Sequence, residues 1–337
     1  MDSKKKVLKK IDSDEDSGSD NDSVGDVEYE QVDITNIKSE LVFFIDFHDG
    51  YAFRQIMEFL KLTVTSVPMY FTENGISILQ GNGDGSLVVN INIKGHELLT
   101  YHFNSSIANH STETDPYHVV CFNVSKFRDT IKSTARKEGI RIFQYANNPI
   151  VHIQVYGGNK NGEGGTSIET QNYTPMHYDL SGFDQSIYAP NCRSPLSEFC
   201  NSCGQFGKVK STKYTNFACY SKGVKVTACS ETGVISMFKK WGECEDSKSG
   251  HNWMKSSGGG IASLLPKPEE SSKNKSKALN VKIPIDTVKA LSKLSNLTNN
   301  GIIRIYCETE KIIRFMVSVS YYAELTIFWK EGENSEE

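Results

Sequence analysis

Apolar and polar positions alternate along most of this chain, and the alternation comes in two sets. Glu73-Asn74-Gly75-Ile76-Ser77-Ile78 has the same pattern as Ser221-Lys222-Gly223-Val224-Lys225-Val226, 148 residues later. A turn glycine followed by period-two alternation predicts a hairpin entering a half-buried strand. Gly139 to Phe143 and Ile150 to Tyr156, separated by Asn147-Asn148-Pro149, predict a second hairpin, which recurs as Gly301 to Cys307 and Ile312 to Val319. The offset is now about 162, close to the first once loop insertions are allowed for, so the chain reads as one unit used twice.

Four segments carry a helical period instead. Tyr51 to Leu62 places Phe53, Ile56, Met57 and Leu60 on one face, and Ser125 to Lys137 does so with Phe127 and Ile131. Ser194 to Phe206 repeats the pattern with Leu196, Phe199, Cys200 and Cys203, and Ile285 to Leu297 with Val288, Leu291 and Leu294. Apolar residues three and four apart turn one face of each helix toward a core. Ser125 and Ser194 stand where helix N-caps belong. Each half therefore reads strand, helix, several strands, helix, hairpin. The fold class is α+β, with two helices covering one face of antiparallel sheet in each half.

At 337 residues the chain has the length of two domains of about 150 residues each. No apolar run approaches the roughly 18 residues that cross a bilayer, so no membrane partner is expected. The first residues lack the apolar core of a signal peptide, and eight unevenly spaced cysteines fit a reducing compartment. The formal charge of −4 hides an asymmetry: Met1 to Asp33 carries −6 and Glu331 to Glu337 carries −4, leaving +6 on the body. Residues 1–36, too poor in apolar side chains to offset ordering entropy, read as a disordered acidic tail. Within it Lys4 to Lys10 resembles an import signal, and Ser13 and Ser17 sit among acids as modification sites do. Residues 241–277, rich in Ser, Gly, Lys and Pro, read as an exposed insertion.

The polar faces of the helices bring in chemistry. Arg128, Lys132 and Arg136 recur at four-residue spacing, Arg54 and Lys61 are seven apart, and Lys289 and Lys293 four apart. The third helix shows Asn201 and Gln205, with Lys208 and Lys210 only at its end. A solvated surface explains any one such helix; three of four point to a common surface for phosphates. Flexible cations without interleaved aromatics suit contact with the backbone of a nucleic acid, not base reading.

These residues resemble the sliding clamps of the proliferating cell nuclear antigen type over about Leu41 to Lys330. The resemblance rests on Phe53 to Lys61 with Asn74 to Ile78, on Ser197-Glu198-Phe199 with Lys222 to Val226, and on their duplicated order. It implies clamp domains at 37–172 and 187–330, an interdomain connector at 173–186, and an acidic C-terminal segment at 331–337. It also implies a homotrimeric ring with helices lining the hole, double-stranded DNA inside, and no enzymatic activity or cofactor. Arg54, Lys61, Lys132 and Lys293 match the family's DNA-facing cations, with Arg128, Arg136, Lys208, Lys210 and Lys289 beside them. DNA polymerase and other replication or repair proteins would dock short motifs on Tyr173, Met176, Tyr178 and Leu180 of the connector and on Ile327, Phe328 and Trp329. A clamp loader is a further implied partner, and the implied setting is the nucleus or a viral replication factory.

The chain also departs from the family. Gly81-Asn82-Gly83-Asp84-Gly85 stands where a methionine-bearing turn is usual, the third helix lacks the family's arginines, and Ser221 replaces the modified lysine. Strands for pairing between copies are expected near Thr166 to Gln171, which is polar, and Val234 to Lys240. Such divergence keeps open a specialised clamp subunit acting in a mixed ring or as a monomer. A metal-dependent nucleic-acid enzyme is the reading from another class. It finds little support: Cys200 and Cys203 lack a second pair, the eight histidines are dispersed, and no helix pattern follows the Gly81 to Gly85 run.

Overall fold

The two sets of alternating segments fold as two sets of strands. The first half comprises β1 (Leu41–Phe47), α1 (Gly50–Thr63), β2 (Ser66–Thr72), β3 (Gly75–Gly81), β4 (Leu87–Lys94), β5 (Thr100–Phe103), β6 (His110–Ser111), β7 (Pro116–Asn123), α2 (Val124–Ile131), β8 (Glu138–Tyr145), β9 (Ile150–Gly157) and β10 (Gly165–Glu169). The second comprises β11 (Cys192–Pro195), α3 (Leu196–Phe206), β12 (Tyr214–Tyr220), β13 (Lys222–Cys229), β14 (Ile235–Glu243), β15 (Leu279–Pro284), α4 (Ile285–Leu291), β16 (Ile302–Thr309), β17 (Ile312–Val319) and β18 (Ala323–Lys330). The computed structural model describes residues 33–108, 110–111, 115–157, 165–170, 189–209, 212–229, 235–244, 278–298, 300–309 and 311–331. The expected disordered tail up to residue 32, most of the insertion, the connector and residues 332–337 lie outside that range.

The repeat is visible in the pairing. In one half the strands run β4-β3-β2-β7, in the other β14-β13-β12-β15; β10-β9-β8-β1 likewise matches β18-β17-β16-β11. The halves join where β18 pairs antiparallel with β4, from Ala323 opposite Ile93 to Trp329 opposite Leu87, which makes one nine-stranded sheet across the chain. The repeated glycines are required by close approach. A Cβ on Gly75 would meet Ile93 O at 2.1 Å, and one on Gly223 would meet Glu243 O at 2.7 Å. Both distances lie inside van der Waals contact, and only glycine brings the two backbones together there.

One continuous core lies between the sheets and helices and contains residues of both halves. Phe43 stacks on Phe71 at 3.9 Å, Phe47 on Phe53 at 4.3 Å, and Phe199 packs on Phe315. Each such fully buried side chain contributes about 1.5–3 kcal/mol. A smaller cluster of Ile34, Leu41 and Phe44 covers the other face of β1, so β1 is buried on both sides. Ile34 thus packs with the fold although it lies in the stretch read as tail.

Several helix boundaries differ from expectation. The cap of α2 is Asn123, whose side chain accepts from Lys126 N, not Ser125. The first N–H of α3 donates to Gly301 O, while Ser194 is a buried residue of β11. Helix α2 stops at Ile131, six residues early, because Thr134 is fully buried and the Glu138 carboxylate accepts from Ala135 N, turning the chain into β8. Helix α4 gives way at Ser292–Asn296 to a 3-10 turn, in which Ser292 and Ser295 hydroxyls donate to backbone carbonyls. Such side-chain bonds compete with the helical ladder. Trp241, expected to open the insertion, is buried in β14 against Phe199.

Asp49 ties the halves together at the start of α1. One carboxylate oxygen caps Ala52 N, the other accepts from Ser320 Oγ, and the Asp49 carbonyl accepts from Tyr322 Oη. Asp49→Ala removes a helix cap and an inter-half bond. The expected loss is about 2 kcal/mol in urea unfolding, and a loss below about 0.5 kcal/mol would show the junction to be held without it.

Candidate nucleic-acid interface

The four helices form one layer in the order α2, α1, α4, α3: α1 packs on α2, on α4 and on the 3-10 turn after it, and α3 packs on α4 and that turn. Their apolar faces enter the core, so their polar faces form one surface. Lys61, Lys132, Lys208, Lys289 and Lys293 are exposed on it, with Lys126 at the start of α2, a cation the spacing pattern passed over. Lys289 pairs with Asp286 at 2.8 Å. Lys210 lies outside the described residues.

The three arginines of α1, α2 and the turn beyond α2 are held differently from the expected stripe. Arg54 donates from Nη1 to the carbonyls of Lys132 and Thr134, at 3.0 and 2.8 Å, so it closes the turn after α2. Its guanidinium lies 4.6 Å from the Tyr51 ring centroid. Arg136 is exposed but stands in the turn beyond α2, not on the helix, and its guanidinium sits 5.6 Å from the same ring. Arg128 bridges two acids: Nε and Nη2 each lie 2.8 Å from Glu58 Oε1, and Nη1 lies 2.8 Å from Asp129 Oδ1. The four-residue stripe of Arg128, Lys132 and Arg136 is therefore corrected to Lys132 alone as an outward-facing lysine, with Arg128 in the seam between α1 and α2.

Glu58 and Asp129 are the residues the helical spacing missed. Glu58 lies between Arg54 and Lys61 on the same stripe of α1, which is legible in the sequence; its pairing with a residue 70 positions away is not. Asp129 has its carboxyl held below the usual range, first by the hydrogen bond from Arg128 and then by the positive charges of Lys61, Arg128 and Lys132. The hydrogen bond to Glu58, followed by that to Asp129, holds the Arg128 guanidinium more firmly protonated.

Of the residues expected to dock partners, Tyr173, Met176, Tyr178 and Leu180 lie outside the described residues. Ile327 and Trp329 point into the core and are buried, which corrects their reading as surface anchors. Trp329 Nε1 donates to Lys282 O at 2.9 Å, and Glu331 accepts from Lys282 N, so the C-terminal strand covers the outer edge of β15. Phe328 alternates to the opposite face and packs with Val88, Ile312 and Leu79. The Gly81 to Gly85 run forms the tight β3–β4 turn, where Asn82 accepts from Leu87 N and Asp84 from Ser86 N. Ser86 O in turn accepts from Lys330 N, which seats the turn beside the end of β18.

Both strands expected to pair between copies are sheet edges. β10 ends the five-stranded sheet and β14 ends the four-stranded sheet. Ile168 of β10 is buried, whereas Phe238 of β14 is 60% exposed. Gln171 and Val234 lie outside the described residues. Cys200 and Cys203 are buried; burial pushes the Cys200 thiol up to about 12 and that of Cys203 well above its usual value, as for inert core thiols. Among the described residues no three His, Cys, Asp or Glu side chains are grouped to hold a metal ion, and no helix is long and apolar enough to cross a membrane.

No protein-family model matches this chain. No curated protein matches it either. Among solved structures, it is similar to a chain of the PCNA2–PCNA3 complex from Sulfolobus tokodaii, with a TM-score of 0.60 over 85% of this chain and 98% of that one, at 11% identity. The likeness is one of fold: this chain has the sliding-clamp fold of the proliferating cell nuclear antigen type, with two similar α+β halves.

Proposed function

We propose that this chain, having that fold, is a non-enzymatic DNA sliding clamp: copies pair head to tail into a closed ring around duplex DNA and tether replication and repair proteins to it. The observation that carries this reading is the pairing of β18 with β4 inside the chain. By the internal repeat, β18 corresponds to β10 and β4 to β14, and among the described residues both counterparts end their sheets. The rule that joins the two halves, applied once more, joins β10 of one copy to β14 of the next. Such heterologous contacts close into a ring when the rotation between copies allows it. The helical layer then faces the hole with Lys61, Lys132, Lys208 and Lys293, and weak phosphate contacts leave the ring able to slide. Clients held on the ring gain local concentration near DNA.

Two measurements test this. Light scattering across a concentration series should give a multiple of the 37.7 kDa chain, and the protein should stay on closed circular DNA at a salt concentration where it leaves linear DNA. Equal loss from both forms would overturn encirclement, and a monomer would move the reading to a mixed ring. Replacing Lys61, Lys132 and Lys293 together with alanine should reduce the slope of log affinity against log salt by roughly 2.7, at about 0.9 per phosphate contact. An unchanged slope would remove the helical layer from DNA contact.

A further inference from the structure

We infer that Asp129 is a restraint on DNA affinity, placed among the phosphate-facing cations of α1 and α2 so that this part of the helical layer grips the duplex weakly. The inference rests on the clamp reading above and deepens it at the same surface. Asp129 is on the outward side of α2, its side chain 52% exposed, with Nη1 of Arg128 at 2.8 Å. Arg128 is already held at 2.8 Å by Glu58 across the seam. Lys61 and Lys132 complete the group, since their charges act on the Asp129 carboxyl. Counting cations alone gives this group three positive charges. With its two carboxylates it keeps one.

Holding the two helices together does not require Asp129. Glu58 bonds Arg128 through both Nε and Nη2, and beneath them Phe127 packs edge-on against Phe53 and on Phe122. An ion pair as exposed as Arg128 with Asp129 contributes little to stability. Its field is another matter. A phosphate reaching Lys61 or Lys132 comes within a Debye length, about 8–10 Å at moderate salt, of the Asp129 carboxylate. The repulsion subtracts from every contact made there. In a ring, topology retains the strand, so affinity lost at the wall does not release the DNA and mobility along it is kept.

The test is Asp129→Asn in the full chain, which keeps the side chain's shape and removes its charge. Affinity for a short duplex is measured from low to high salt, beside Asp84→Asn, an equal charge change in the β3–β4 turn. Asp129→Asn should bind several-fold tighter at low salt, a gain that shrinks as salt rises and screens the field, with an unchanged thermal midpoint. Asp84→Asn should bind as the parent does. If the parent binds duplex DNA and Asp129→Asn binds no tighter, or if Asp84→Asn gains as much, the restraint is overturned while the clamp reading stands. If neither the parent nor Asp129→Asn binds the duplex even at low salt, the restraint is overturned, whereas only equal loss from circular and linear DNA overturns the clamp reading.

Discussion

Arg141→Met is expected to destabilise the fold by about 3–5 kcal/mol, because it leaves a buried carboxylate without its cation. Asp46 is fully buried on β1 and accepts from Arg141 Nε at 3.0 Å and from the Tyr156 hydroxyl. Arg141 stands directly opposite Asp46 on β8, and its guanidinium lies 3.9 Å from the centroid of the Tyr156 ring. That ring covers Gly139, where a Cβ would come within 2.2 Å of it, so the glycine makes room for the hydroxyl to reach Asp46. Burial pushes the Asp46 carboxyl above its ordinary value; the hydrogen bond from Tyr156 and the charge of Arg141 oppose the rise only in part. A group whose folded pKa is raised binds its proton more tightly in the folded state. Its contribution is fully present below the unfolded value of 3.8 and is lost as pH rises through the folded pKa. Methionine removes part of the opposition, so the deficit of the variant should be largest near neutral pH and shrink toward pH 5. Urea unfolding of both proteins across that range measures it. A deficit below about 1 kcal/mol, or one that does not move with pH, would show that Asp46 is already neutral in the folded protein.

Trp329→Ala should cost a similar amount, about 3–5 kcal/mol, through lost burial and the cavity left behind. Trp329→Phe, which keeps one aromatic ring in the core but gives up the donor to Lys282 O and part of the indole's volume, should cost less, about 1–2 kcal/mol. The pair of variants separates two roles for the end of β18. A surface anchor for clients would leave stability untouched on truncation and weaken binding of partner peptides. A core residue joining β18 to the edge of β15 would lower the unfolding midpoint in proportion to its size. Thermal or urea unfolding distinguishes them, and a stability loss under about 1 kcal/mol for the alanine variant would restore the anchor reading. Phe328, on the opposite face with Val88 and Ile312, is buried as well, so its truncation should also register first in stability.

The strands and helices were legible in the sequence wherever they depend on near neighbours. Gly75 and Gly223 marked their hairpins because alternation and turn chemistry act over a few residues. Phe53, Ile56, Met57 and Leu60 marked the buried face of α1 for the same reason, with the period of 3.6 in place of 2. The end of α2 was not legible. It depends on Arg54, which reaches its carbonyls from 78 and 80 residues away, and on the burial of Thr134. The charge of the helical surface was only half legible, since lysines and arginines declare their sign but not their partners.

The sequence by itself determined the α+β class, the duplication, the four helices and the signs of the charges along them. All follow from local periodicity and from residue chemistry that no fold alters. The tertiary structure decided which cations face outward, that Glu58 and Asp129 share Arg128, that Trp329 is inside and Phe328 on the other face, and that β10 and β14 are edges. Each of these depends on packing between segments tens of residues apart, such as the 95 separating Asp46 from Arg141. The free energy of such contacts is set by burial and geometry, and neither exists until the chain has folded.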